Sequence, residues 1–161
     1  MLKEITTKAK IRFADCDPIG HLNNVKYLDY MLNAREDHVE QQFGFSYEEY
    51  SRQTGCTWIA IQNEIAYLQE LRFNTLVNIT SSLVELTDRI SKVEIRMTSE
   101  NGEITHAVLW VSAIYFDMKS RKSLILPLET KNLFQSNLVS LPELLFSERV
   151  SFFRNENKKY K

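Results

Sequence analysis

The first half of the chain has the hydrophobic spacing of one long helix. From Val25 the apolar positions fall on one stripe, and no Pro or Gly interrupts them before Gly44, a natural helix stop. The pattern predicts about 20 helical residues, or about 30 Å, with Asn23 or Asn24 as N-cap. The stripe consists of Leu28, Met31, Leu32, Val39 and Phe43. Segment 5–13 alternates weakly and predicts a half-buried strand, and 46–52 predicts another helical turn or two.

The second half of the chain has the spacing and composition of β-strands. Asn101-Gly102 is a strong hairpin signal, so the strands on either side of it are expected to be antiparallel neighbours. The predicted strands are 57–68, 76–86, 90–98 and 104–117, with a shorter one at 121–126. One strand, a long helix and then four or five antiparallel strands form an α+β pattern, in which a curved sheet wraps one long central helix.

The strand 104–117 is apolar on both faces. Val108, Trp110, Ile114 and Phe116 lie on one face, and Ala107, Leu109, Val111, Ala113 and Tyr115 on the other. One helix covers only one face, so another subunit is expected to cover the second. Residues 1–128 are expected to form the domain, and 129–161 a C-terminal extension outside it that is partly helical or frayed.

Composition and charge narrow the classes of function. Hydrophobic residues make up 43% and charged residues 25%, with only four Gly and three Pro, which is typical of a globular domain. The 20 Lys and Arg nearly balance the 21 Asp and Glu, so neither nucleic acid nor a membrane is expected as a partner. Two cysteines, and no apolar leader after Met1, favour a cytoplasmic location.

Most of the candidate chemistry lies in one stretch just before the long helix. It combines two carboxylates, a Pro-Gly turn, a histidine and two asparagines, and it suits an ionised acid beside the N-terminal amides of a helix. The stretch reads Asp15, Cys16, Asp17, Pro18, Ile19, Gly20, His21, Leu22, Asn23, Asn24, Val25, Lys26 and Tyr27.

This stretch resembles the signature of the hotdog-fold acyl-CoA thioesterases of the 4-hydroxybenzoyl-CoA thioesterase type. The resemblance covers roughly residues 5–127. Later landmarks agree in order: Glu64-Ile65-Ala66-Tyr67-Leu68, the Asn101-Gly102 hairpin, and Asp117 followed by Arg121 and Pro127. It implies a hotdog fold that hydrolyses a thioester to a free acid and CoA.

The resemblance also implies roles for individual residues. Asp17 corresponds to the catalytic carboxylate, a nucleophile or a general base, and the backbone amide of Asn24 to the oxyanion donor. His21 and Asn23 would orient the carbonyl, Asp17 or a water molecule. Tyr27, Arg89 and Lys92 are the candidate substrate-binding residues, the last two for phosphates of an acyl-CoA or acyl-carrier thioester.

The resemblance implies a homodimer or homotetramer, with two helices on one continuous sheet and active sites at the subunit boundary. No cofactor or metal is expected, because His21 with Asp15 and Asp17 matches no common ligand spacing. His38 is expected at the surface and His106 on a strand.

Other interpretations remain open. Asp15 and Asp17 around a Pro-Gly turn are also typical turn formers, and Asp15 is expected to hold the backbone or Arg12. Glu36 is a second candidate for the catalytic acid, whereas the two acids beside Cys16 would raise the pKa of its thiol and argue against a nucleophile. The alternative functions are a non-catalytic hotdog module that binds acyl-CoA or acyl-carrier protein, and a hotdog hydratase or dehydratase.

The chain departs from the family pattern at residues 69–74. Relatives usually have a Pro and then Gly-Asp after the strand that ends at Leu68, whereas this chain has neither Pro nor Gly there. The shape of this connection, and of a substrate entrance near it, is therefore expected to differ.

Overall fold

A computed structural model describes residues 3–161, which contain one antiparallel sheet. Its strands are β1 (Glu4–Lys10), β2 (Cys56–Tyr67), β3 (Leu76–Leu86), β4 (Ile90–Ser99), β5 (Thr105–Asp117) and the short β6 (Lys122–Ser123). The strand order is β1-β3-β4-β5-β2, and β6 pairs with the end of β5. The predicted α+β class and the antiparallel hairpin between β4 and β5 are confirmed.

Four α-helices complete the described part of the chain. They are α1 (Asn24–Phe43), α2 (Tyr47–Thr54), α3 (Leu128–Ser136) and α4 (Phe146–Lys158). The predicted strand 5–13 is too long, because Ile11 leaves the ladder and bonds to the loop before β3 instead. The predicted strand 121–126 is also too long, since only two of its residues form ladder pairs.

Helix α1 packs on the inner face of the sheet and forms the main core with it. The buried α1 residues include Tyr27, Met31, Ala34 and Val39, and the facing strands supply Val77, Ile79, Ile95, Met97 and Leu109. Leu32, assigned to the apolar stripe, is 39% exposed, whereas Arg35 and His38 are buried. The expectation of a surface His38 is therefore wrong: its side chain is fully buried and bonds to Thr7 and Ser81.

The outer face of β5 is covered in part by the chain's own C-terminal helix. Val150 and Phe153 of α4 form a buried cluster with Val108, and Phe146 packs edge-on against Trp110. The expectation that another subunit covers this face is therefore wrong for Val108 and Trp110. Residues 129–161 were expected outside the domain, whereas α4 packs directly on the sheet.

Hydrogen bonds and an ion pair also fix α4 on the sheet. The Arg149 guanidinium donates to both carboxylate oxygens of the fully buried Glu94, at 2.8 and 2.7 Å, and Glu94 also accepts from the Trp110 indole at 2.8 Å. At the other end of the helix, the Asn157 amide bonds to both the backbone N–H and the carbonyl of Thr105. These two hydrogen bonds satisfy the backbone N–H and C=O groups of Thr105 at the start of β5, where the ladder ends.

We expect Arg149→Met to destabilise the protein strongly, because it leaves the Glu94 carboxylate buried without its main cationic partner. The loss for such a buried pair is about 3–5 kcal/mol, reduced here because Arg96 Nε lies 3.5 Å from the same carboxylate. The double variant Arg149→Met, Glu94→Gln should recover part of it, since the fully buried carboxylate is then uncharged and only Glu143 still loses its ion pair with Arg149. Urea unfolding measures both.

The matched control is Lys8→Met, which breaks an exposed ion pair with Glu100. It should cost at most about 1 kcal/mol. Equal losses for Lys8→Met and Arg149→Met would contradict a stabilising role of the buried pair.

Candidate active site

The chain between β1 and α1 forms a tight turn around the Asp17 carboxylate. Asp17 Oδ1 accepts hydrogen bonds from the backbone N–H groups of Ile19, at 3.0 Å, and His21, at 2.9 Å. Gly20 closes the turn at φ +85°, a left-handed conformation that side chains rarely adopt. The turn therefore binds one carboxylate oxygen, while Asp17 Oδ2 has no hydrogen-bond partner within residues 3–161.

The start of α1 leaves backbone donors without acceptors. Asn23 occupies the N-cap position, but its side chain makes no capping hydrogen bond. Within the described residues, the backbone N–H of Asn24, the first residue of the helix, has no acceptor. Such unpaired amides at the positive end of the helix dipole form a site for negative charge.

Asp17 and the start of α1 open into one cleft with a volume of about 280 Å³. The structure brings Asp17, His21, Asn24 and Tyr27 together there, while Asn23 lies beside the cleft without lining it. The Tyr67 hydroxyl donates to the Asn24 carbonyl at 3.0 Å, and its ring packs edge-on against Tyr27. Burial raises the pKa of Tyr27 to about 12, so its hydroxyl stays neutral at physiological pH.

A comparison with protein families identifies the fold and its family. Residues 11–143, most of the chain, match the model of the thioesterase-like superfamily. The chain belongs to this superfamily. The hotdog fold implied by the sequence motif is confirmed.

Individual members of the superfamily agree with this assignment. A curated relative is the long-chain acyl-CoA thioesterase FadM of Escherichia coli strain K12, 26% identical over 74% of this chain and 89% of the relative. Among solved structures, the probable thioesterase YbaW of Escherichia coli is 23% identical with a TM-score of 0.73, over 83% of this chain and 98% of YbaW. SAV2348 of Staphylococcus aureus, solved in complex with CoA, is 16% identical with a TM-score of 0.77, over 89% and 91% of the two chains.

One wall of the cleft was not assigned from the sequence. Tyr67, Leu68, Gln69 and Glu70 line it, and His21 Nε2 lies 3.0 Å from a Glu70 carboxylate oxygen. The sequence feature that pointed to this wall was the departure from the thioesterase pattern at residues 69–74. Asn74 there adopts a left-handed φ of 65°, which Asn tolerates, so the chain turns at this position without a Gly.

Asp15 ties the turn to α1. Its Oδ2 accepts from the Tyr30 hydroxyl at 2.7 Å, its Oδ1 lies 3.7 Å from Lys26 Nζ, and its carbonyl accepts from the Asn23 N–H. Asp15 was expected to hold the backbone or Arg12, whereas its side chain bonds to Tyr30. Beside it, burial and then the charges of Asp17 and Asp15 raise the pKa of the Cys16 thiol, as predicted.

Arg89, Lys92 and Glu36 lie outside this cleft within one chain. Lys92 pairs with Ser112 of β5, and Tyr67 of the cleft pairs with Ala107 of β5. These two β5 positions are about 17 Å apart along the strand, at ~3.3 Å per residue. Arg89 donates to the Ser123 carbonyl at 2.8 Å, and Lys92 pairs with Glu85 at 2.8 Å. Glu36 lines a different cavity, behind the middle of α1.

None of the helices within residues 3–161 is long and apolar enough to cross a membrane. No cluster of three or more His, Cys, Asp and Glu side chains in this part of the chain could hold a metal ion.

Proposed function

We propose that this protein hydrolyses an acyl-CoA thioester to a free carboxylic acid and CoA. The observation that carries the proposal is the position of Asp17 next to an unpaired backbone amide, that of Asn24, in a single cleft. Membership of the thioesterase-like superfamily supports the reaction class. The activity named for FadM and the CoA bound by SAV2348 support acyl-CoA as the substrate.

Asp17 supplies the reactive oxygen. Two backbone N–H groups bind its Oδ1 and stabilise the negative charge, which leaves Oδ2 to attack the thioester carbonyl or to take a proton from an attacking water. The leaving thiolate needs little protonation, so no strong general acid is required. His21 contributes its backbone N–H to Asp17, and its imidazole, beside Glu70, faces the cleft.

The start of α1 stabilises the negative charge that develops on the substrate oxygen. As the carbonyl carbon becomes tetrahedral, its oxygen gains negative charge, and the Asn24 N–H donates to it in the field of the helix dipole. The Tyr67 hydroxyl holds the carbonyl of the same residue, which fixes the position of this part of the helix. A single oxyanion donor of this kind contributes about 100- to 1000-fold in rate.

A second copy of the chain completes the proposed enzyme. Strand β2, 12 residues long, lies at the edge of the sheet, and no described strand pairs with its outer side. Ile59 and Ile61 are 40% and 53% exposed on it, which is unusual for an edge strand that stays unpaired. We infer a homodimer, alone or within a homotetramer, that forms along this edge, and we retain Arg89 and Lys92 as the proposed ligands of CoA phosphates.

We expect Asp17→Asn to lower kcat/KM for acyl-CoA hydrolysis by at least about 100-fold, because the amide neither attacks nor accepts a proton. A thiol-release assay over short, long and aromatic acyl-CoAs measures the loss. Asp37→Asn, the same substitution at an exposed position of α1, is the control and should keep wild-type turnover. Unchanged turnover in Asp17→Asn would refute the role of Asp17. For the wild type, a single turnover in ¹⁸O water tests for direct attack. Such attack forms an anhydride between Asp17 and the acyl group with release of CoA, and water that hydrolyses this anhydride at the Asp17 carbonyl labels the carboxylate, which the general-base route never does.

Gly20→Ala should lower turnover at least tenfold, because it strains the turn that points the His21 N–H at Asp17. An added Cβ would lie 3.4 Å from the Phe73 ring. Gly102→Ala is matched in φ, at +77°, but its Cβ would meet nothing within 4 Å. Each change should cost about 1–2 kcal/mol in urea unfolding, so equal turnover in the two variants would contradict the proposed dependence on this turn.

Ile61→Lys should break the proposed dimer, because a charge on an edge strand disfavours pairing with a second strand. Light scattering should show a multiple of 18.9 kDa for the wild type and a monomer for the variant. Leu144→Lys, the same change at a residue 82% exposed, should leave the mass unaltered. A monomeric wild-type protein would show that this part of the proposal is wrong.

A further inference from the structure

A second, larger cavity lies behind the middle of α1. Its volume is about 360 Å³, within the range of small-molecule sites, and it separates the second half of α1 from the inner face of the sheet. It shares no lining residue with the Asp17 cleft. Arg35 lines it and lies eleven residues after Asn24, or about 16 Å along the helix axis.

Arg35 places a guanidinium in this cavity without a counter-ion. The residue is only 7% exposed, and no Asp or Glu within residues 3–161 forms an ion pair with it. Its Nη1 donates to Ser81 Oγ at 3.0 Å, the Tyr47 hydroxyl also interacts with it, and its Nε has no hydrogen-bond partner. A buried cation is normally paired with an anion, because the lost hydration is otherwise uncompensated.

The side chains around Arg35 do not supply a negative charge. Ser81 Oγ is shared with His38 Nδ1 at 2.8 Å, and Thr7 Oγ1 lies 3.0 Å from His38 Nε2. Burial and then the charge of Arg35 lower the pKa of His38 to about 4, so its imidazole is neutral at physiological pH. Glu36 also lines the cavity, but it is exposed and makes no ion pair with Arg35.

Aromatic and aliphatic side chains form most of the remaining lining. The Trp58 ring packs against Tyr50, Phe45 and Phe134, while its indole nitrogen is shielded from solvent and has no hydrogen-bond partner. The cavity therefore combines an apolar lining with one buried cation.

We propose that this cavity binds an apolar ligand through a carboxylate that pairs with Arg35. A carboxylate matches the planar guanidinium and neutralises its charge. A phosphate dianion fits less well, because only one cationic group is present to neutralise it. The aromatic wall contacts the apolar body of the ligand.

Two kinds of ligand combine an apolar body with a carboxylate. One is a free carboxylic acid, the product class of the proposed hydrolysis, and the other is an acyl thioester with a second carboxylate at its far end. The first is a binding event that needs no turnover, so its test is decided even if the proposed hydrolysis is wrong. The second rests on the proposed function.

Isothermal titration calorimetry at neutral pH with octanoate and 4-phenylbutyrate tests the first kind of ligand. Wild-type protein should bind each acid at least about tenfold more tightly than the corresponding primary alcohol, as expected for a charge-assisted pair. Arg35→Met should lose this preference, and Arg52→Met, which removes an exposed arginine of α2, should keep it. Arg35→Met should also fold with a melting temperature no lower than the wild type, because it removes an unpaired buried charge.

Turnover of the CoA monothioester of suberic acid, compared with octanoyl-CoA, tests the second kind of ligand. A far-end carboxylate on Arg35 should raise kcat/KM at least about tenfold in the wild type, and the gain should vanish in Arg35→Met but persist in Arg52→Met. An Arg35-dependent preference for the carboxylate in either experiment supports the proposal. Equal binding of acids and alcohols together with equal turnover of both thioesters, or preferences that survive in Arg35→Met, would overturn it.

Discussion

The open start of α1 is the constraint on which the candidate site depends. A helix N-terminus normally satisfies its amides with the side chain of its N-cap residue, but Asn23 makes no such bond here. The surrounding contacts fix the helix without covering its end. Asp15 reaches α1 through Tyr30, and Tyr67 binds the carbonyl of Asn24 on the side away from its N–H. The first turn is held rigidly while its donors remain available.

One helix also separates two environments with different electrostatics. At its start, backbone dipoles and a tight turn favour negative charge next to solvent. Farther along, the buried Arg35 faces aromatic and aliphatic walls, with His38 neutral behind it. Helix α1 is continuous from Asn24 to Phe43, so a single element lines both cavities although they share no lining residue.

The sequence predicts the elements well, because local patterns determine them. Strand β3 has the predicted bounds, the Asn-Gly hairpin joins β4 to β5, and α1 begins and ends within a residue or two of the prediction. Asp17, His21, Asn24 and Tyr27 do meet in one cleft, since only ten residues separate the first from the last. This part of the site was therefore predictable from the short separation of these residues in the chain.

Contacts between residues distant in the chain could not be predicted in the same way. Glu70 meets His21, and Arg149 meets Glu94, only because the sheet brings separate segments together. His38 was expected at the surface, although it is buried and bonds to Ser81, and Arg35 is buried beside it with its own bond to Ser81. Pattern analysis does not detect a polar residue that is buried with partners on another strand.

The packing of α4 on β5 also bears on how the chain folds as it is synthesised. The segment that covers Val108 and Trp110 follows β5 in the chain, so the strands of the sheet are synthesised before the outer face of β5 has a cover. Nascent chains that stop before Phe146 would expose an apolar strand surface together with a Glu94 that lacks Arg149. Until α4 has been synthesised, this surface is the part of the molecule that chaperones and neighbouring nascent chains would encounter.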